Sequence, residues 1–284
     1  MRRYPKHISI ALKRWLPEWL HRPLRYFGLR LLALAESIKD RSMGFELGVV
    51  PLPPPLLRYR VHGSLDRDSF LGVGRTCVED LKNSLRLAGR DLYSFQNVLD
   101  FGCGCGRVLR HFYDHPPSCH MFGTDVDAQA IAWGRKKLPF VTFLVNDSLP
   151  PLRFAAGTFD LIYAVSVFSH LDEAHQLAWL KELKRVSKPG AILLLSTHGR
   201  FAQLSASQNG GLTPKDAETL QTKGLLFKVS ERGRFKLDGL PDFYQCTFHT
   251  KEYELEVWSQ FFTVKHYIER GINNHQDLVI LSVE

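Results

Sequence analysis

Residues 98–108 read VLDFGCGCGRV, and the fold class turns on this stretch. Val98, Leu99 and Phe101 surround one acid, Asp100, and glycines follow at alternate positions, Gly102, Gly104 and Gly106. An apolar run that ends in a glycine-rich turn reads as a buried parallel strand feeding a ligand cradle. Glycine accepts positive φ and lets backbone approach a ligand with no Cβ in the way. The helix expected next, over about 107–114, would add unpaired N–H groups and a positive dipole end. A G-x-G-x-x-G fingerprint would need its third glycine at position 107, which is Arg107.

Moving outward, MFGTDVD (121–127) reads as a second strand. Its Asp125 lies twenty-three residues beyond Gly102, a distance at which an acid can accept both ribose hydroxyls of a nucleoside. Val126 is placed to pack on an adenine face. VTFLV (141–145) reads as a third strand ending in Asn146-Asp147-Ser148, and 159–171 as a fourth. A helix is expected over about 173–187, with Asp172 as N-cap and Lys188-Pro189-Gly190 as its stop. AILLLSTHG (191–199) is the fifth strand. A helix over about 68–88 would precede the first strand.

The run DFGCGCG resembles the DxGxGxG first motif of the class I S-adenosylmethionine (SAM) dependent methyltransferases, and the elements over roughly 95–200 follow in that family's order. The stretches RYRVHG, FGCGCGRV, YQCTFHT and GINNHQDLV look like bacterial methyltransferase-domain proteins of the small-molecule type. The resemblance implies an α/β fold: a Rossmann-like, seven-stranded, mostly parallel sheet, helices on both faces, the last strand antiparallel, and here an N-terminal helical arm. It implies SAM as cofactor, held by Asp100, Gly102, Cys103, Gly104, Gly106, Arg107, Asp125, Val126, Asn146, Asp147, Ser148 and Val165, with Asp147 reaching the adenine amino group. N-terminal segments in such proteins fold over the cofactor, which makes Tyr59, Arg60 and His62 substrate-side candidates. An NAD-binding domain and a non-catalytic SAM-fold binding protein are the alternatives.

In open α/β sheets ligands bind outside the carboxyl ends of the parallel strands. His170 follows strand four, His198 follows strand five, and Asn273, Asn274 and His275 open the final strand at that edge. Tyr244 and His249 come from the segment before the last helix, expected over about 251–261 with Thr250 as cap. Methyl transfer from a sulfonium is a direct displacement, so alignment supplies much of the rate. A hydroxyl acceptor gains from a general base, and neutral histidine suits that role. His170 is the first candidate, with His198 and His249 behind it; each also reads as a hydrogen-bonded structural residue.

Charge is uneven. The net charge of the 284 residues is +8, of which residues 1–30 carry +7 and the remainder +1. Residues 1–48 read as a basic amphipathic arm, with Ile8, Leu12, Trp15, Leu16 and Trp19, then Leu24, Phe27, Leu31, Leu34 and Ile38 at helical spacing. Pro17 and Pro23 are expected to divide it into short helices. Such an arm suits an anionic membrane surface, a protein partner or its own domain. VVPLPPPLLRYRVHG (49–63) reads as extended within a linker over 49–66, and 67–284 as the methyltransferase domain with a lid insertion at about 199–243. Five cysteines without a framework fit a reducing compartment. The spacing of His111, His115, Cys119 and His120 is open to zinc, but a Pro-Pro turn interrupts it and no metal is expected.

No Asn/Asp-Pro-Pro-aromatic tetrapeptide and no Pro-Cys follows strand four, and a nearly neutral body disfavours a nucleic acid substrate. The expected acceptor is a small molecule or glycan, methylated on oxygen, with a lipid-linked or quinone-like acceptor as alternative. The expected location is cytoplasmic, with peripheral attachment to the inner face of the membrane.

Overall fold

The computed structural model describes residues 18–42, 50–229 and 243–284, with side chains from residue 23 onward. Among the described residues, three helices come first: α1 (Glu18–Ser42), α2 (Pro55–His62) and α3 (Arg67–Leu87). Then follow β1 (Asn97–Phe101), β2 (His120–Asp125), α4 (Ala128–Lys137), β3 (Val141–Val145), β4 (Phe159–Ala164), α5 (Glu173–Val186) and β5 (Ser187–Thr197). The last part contains α6 (Arg200–Gln208), α7 (Pro214–Lys223), β6 (Leu225–Lys228), β7 (Cys246–His249), α8 (Lys251–Trp258), β8 (Thr263–Ile272) and β9 (Gln276–Ser282).

Seven strands form one sheet in the order β3-β2-β1-β4-β5-β9-β8. β1 through β5 pair in parallel, and β9 runs antiparallel to both β5 and β8. Side-chain alternation splits each central strand between two cores. Val98, Leu161, Tyr163, Leu194 and Ile280 face α3 and its Leu81 and Leu85. Leu99, Ile162, Leu193, Val279 and Leu281 face α5 and α8, against Trp179, Leu183 and Trp258. Burial on both faces explains why these strands read as unbroken apolar runs.

The helix starts follow side-chain caps: Asp172 accepts from His175 N on α5, and Thr250 accepts from Tyr253 N on α8. Four expectations are corrected. The segment after the glycines is not an α-helix over 107–114 but a four-residue 3-10 turn, Leu109–Phe112. The stretch 49–63, expected extended, turns helical at Pro55, where a proline at the first helical position sacrifices no hydrogen bond. Pro23 does not divide the arm, because α1 runs through it with Leu29 and Ala33 docked on the body. β5 begins at Ser187, so Lys188-Pro189-Gly190 lies within the strand. Ile8, Leu12, Trp15, Leu16, Pro17 and the Trp19 side chain lie outside the described residues, as do positions 230–242 of the insertion. In the rest of the insertion, β6 pairs antiparallel with β7, which lies just beyond it, over a small core of Ala202, Leu220, Leu226 and Phe248.

Gly106 holds φ +75°, and a Cβ there would meet Leu138 Cδ1 at 2.5 Å. Gly106→Ala is expected to cost about 2–4 kcal/mol of folding stability from left-handed strain plus overpacking. Urea melts of both proteins measure this, and an unchanged midpoint would contradict the packing.

Candidate active site

A cleft opens at the carboxyl ends of β1, β2, β3 and β4. Its floor is the turn after β1, with Asp100, Gly102, Cys103, Gly104 and Arg107; Asp125, Val126 and Asp127 follow β2, and Asn146 and Ser148 follow β3. The far wall combines Val165, Ser166 and Val167 with Leu171, Trp179, Phe243 and Tyr244. Arg60 and Val61 of α2 close the near side.

The floor is fixed by backbone hydrogen bonds. Gly102 N and Cys103 N both donate to Thr124 O. Gly104 N donates to Asp125 Oδ2 at 2.7 Å, and Asp127 N donates to Asp125 Oδ1 at 2.8 Å. One carboxylate therefore ties the glycine turn to the end of β2. Gly104 sits at φ +54°, and a Cβ there would meet Val61 Cγ2 at 2.4 Å, so α2 lies directly on the turn. Arg60 secures that contact through Asp127 Oδ2 at 2.7 Å and Gln129 Oε1 at 2.9 Å. Asp127 also caps α4 by accepting from Gln129 N and Ala130 N.

Burial pushes the Asp100 carboxyl up to about 8, reinforced by the charge of Asp125 and opposed by Tyr163 and Arg107. Burial also raises Asp125, while its hydrogen bonds from Asp127 and Gly104 pull it down. Cys105 is pushed up to about 12, and burial holds Cys103 well above the ordinary thiol range, so neither is a thiolate near neutrality. Arg107 Nε and Asn146 Oδ1 are buried without a hydrogen-bond partner.

The predicted cofactor residues converge, except that Gly106 packs on Leu138 and Asp147 points into a small separate recess with Pro151 and Arg153. The predicted polar residues at the far edge form a ring ladder instead of a cleft lining. Tyr244 stacks on His170 at 4.4 Å, His170 meets His198 at 5.5 Å, His198 meets His275 at 5.9 Å, and His275 meets Phe201 at 5.7 Å. Of these only Tyr244 borders the cleft. His170 is 6% exposed and its Nδ1 is bonded to Gln245 O. His249 is fully enclosed against Gln176, and burial lowers it to about 3. Asn273 and Asn274, both at φ 50°, form the β8–β9 turn, pinned by Asn273 N donating to Asp80. His62 meets Ser69 Oγ at 2.7 Å, and Tyr59 packs against Leu29 and Leu65; neither lines the cleft.

Sequence reading missed Val61, Asp127, Ser166, Trp179 and Phe243. Ser166 holds φ 63° and is clamped there: its N–H donates to Ser196 Oγ at 2.9 Å, Gln276 Nε2 donates to its Oγ at 2.9 Å, and Tyr244 Oη donates to its carbonyl at 3.1 Å. An acid two residues after Asp125 was a readable signal for Asp127; nothing local marked Trp179.

Residues 98–190 match the methyltransferase domain family. The chain is 27% identical over 161 residues to a malonyl-[acyl-carrier protein] O-methyltransferase of Halalkalibacterium halodurans, covering 55% of this chain and 58% of that one. It is 27% identical over 132 residues to a tRNA N(3)-methylcytidine methyltransferase of Schizosaccharomyces pombe, covering 43% and 53%. The chain thus spans little more than half the length of these relatives. The solved structure of the PH0226 protein from Pyrococcus horikoshii OT3 shares the fold at a TM-score of 0.54 and 18% identity, over 80% of this chain and 98% of that one. Glycine motif, strand order and family match agree that residues 98–190 form a methyltransferase domain, set in a sheet of the methyltransferase type.

Proposed function

We propose that the protein transfers a methyl group from SAM to an oxygen of a small-molecule acceptor. The observation that carries this is the single cleft running from the glycine turn and Asp125 to the apolar and aromatic wall of Leu171, Trp179, Phe243 and Tyr244. The residues present fit the cofactor. Asp125 retains acceptor capacity for ribose hydroxyls beside its two backbone bonds. Asn146 Oδ1, an orphaned acceptor, suits an adenine amino group, and it lines the cleft where Asp147 does not. Val126 supplies an apolar surface for the purine, and Arg107 Nε is a spare donor beside the turn.

When bound, SAM supplies the methyl electrophile and its own leaving group. The chain's part is then to exclude water and aim the acceptor. Trp179 is held by Nε1–H donating to Ser148 O at 3.0 Å and packs on Phe101. Tyr244 is fixed by its stack on His170 and its bond to Ser166 O, which makes it the polar group on the acceptor side. His170 acts as a positioning residue behind it. A lipid-linked or quinone-like acceptor is the second reading, favoured by the aromatic wall. A tRNA substrate, named for one relative, has no support in a body whose net charge beyond residue 30 is +1.

The test incubates purified protein with methyl-labelled SAM and an extract of its source cells, then separates aqueous and organic phases. Label in the aqueous phase supports the small polar acceptor, and label in the organic phase the second reading. SAM bound with no label transferred would overturn catalysis in favour of a binding protein.

A further inference from the structure

We infer that the outward face of α1 is a docking surface for an anionic phospholipid bilayer. α1 lies on α2 through Leu29 and Ala33, which are 6% and 5% exposed and pack with Leu56, Tyr59 and Leu65. At about 100° per residue, Leu24, Phe27, Leu31, Leu34 and Ile38 fall in one sector roughly 80° wide, about 160° from that docked side. These five are 44–61% exposed. The stripe is about 21 Å long at 1.5 Å per residue, a length that lies flat at a headgroup boundary. No helix among the described residues is long and apolar enough to cross a membrane.

Charge selects the occupant. Arg30 and Arg41 lie within about 40° of one margin of the stripe and Lys39 about 60° from the other, and all three are exposed. Of the acids of this stretch, Asp40 turns towards the body and accepts from Arg58 at 2.8 Å, and Glu36 pairs with Lys39 of the same helix at 3.6 Å. A second copy of the chain would bring cation against cation, whereas anionic headgroups meet both margins with opposite charge. The surface is coupled to the body, since buried Arg58 bonds Asp40 of α1, Pro53 O and Leu65 O, and α2 carries Arg60 and Val61 into the cleft. This inference does not depend on the identity of the methyl acceptor.

The test is co-sedimentation of the 284-residue chain with extruded vesicles of phosphatidylcholine, with and without phosphatidylglycerol. Binding is expected only with phosphatidylglycerol, falling by tenfold or more in high salt. A Phe27→Glu, Leu31→Glu double variant and an Arg30→Glu, Arg41→Glu double variant should each lose about tenfold or more in vesicle affinity. Both should keep the wild-type melting temperature and SAM affinity, because the four side chains touch neither the core nor the cleft. Equal binding to neutral vesicles, no binding to either, or binding untouched by both variants would overturn the proposal. So would a concentration-dependent dimer that the same variants abolish. A wild-type protein that binds vesicles but not SAM would refute the methyltransferase reading and leave this one standing.

Discussion

Asp125→Ala is expected to weaken SAM binding about 10- to 150-fold, corresponding to roughly 1.5–3 kcal/mol for hydrogen bonds to a charged acceptor. Two losses combine. The proposed ribose hydroxyls lose their acceptor, and Gly104 N and Asp127 N, at 2.7 and 2.8 Å, lose theirs. The second loss loosens the glycine turn and, through Asp127, the Arg60 contact that holds α2 over it. Asp125→Asn separates the contributions, since one amide oxygen still accepts while the other position becomes a donor facing a donor. Its affinity should fall between those of wild type and the alanine variant. Asp147→Ala is the control: the residue is exposed and borders the separate recess, so SAM affinity should not change. Titration calorimetry on the three variants measures all of this. An unchanged affinity for Asp125→Ala would remove the residue from the cofactor site, and a loss for Asp147→Ala would return the adenine contact to it.

The contrast between Asp125 and the histidines shows what a sequence can reveal about such a site. A residue at the carboxyl end of a parallel strand has its position set by the strand itself, so Asp100, Asp125, Asn146 and Val165 were legible once the strands were. VTFLV was read with its observed bounds for the same reason. Residues in the loops after β4 and β5 reach the same edge, but their side chains can turn into the cleft or behind it. The left-handed Ser166 and its clamp to Ser196 and Gln276 send His170 and His198 behind. That outcome depends on contacts between positions 110 residues apart, which no local pattern encodes. Composition misled at Pro53–Pro55, because proline marks a helix start as readily as an extended linker. The expected order of strand, glycine turn and helix misled after Gly106, where His111 N donates to Val108 O and closes a short 3-10 turn.

Glu254→Gln is expected to flatten the pH dependence of stability above neutrality. Glu254 lies in the first turn of α8, fully buried, with His249 Nδ1 at 3.9 Å from its carboxyl. Burial pushes the carboxyl up to about 8 against the pull of the Thr197 and Tyr267 hydroxyls, and pushes His249 down to about 3, aided by His198. At neutral pH both members of the pair are uncharged. The folded-state value of Glu254 stands above its ordinary 4.5, so its favourable contribution is complete below about pH 4.5 and is lost as pH rises towards 8. His249 has the opposite sense, losing stability as pH falls from about 6.5 towards 3, and it contributes nothing between about pH 6.5 and 8. Asp100, also raised to about 8, adds the same slope to wild type and variant and cancels in the difference. Over that window a proton held only by the folded state amounts to roughly 2 kcal/mol at most. Urea melts at both ends of the window should therefore show wild type losing about 1–2 kcal/mol more than Glu254→Gln on going up in pH. Equal slopes would mean that Glu254 is already ionised across the window and takes up no extra proton in the folded state. That result would remove the neutral carboxyl beside His249, whereas the expected flattening keeps both members of this buried pair uncharged near neutrality and leaves His249 without the titration a general base needs.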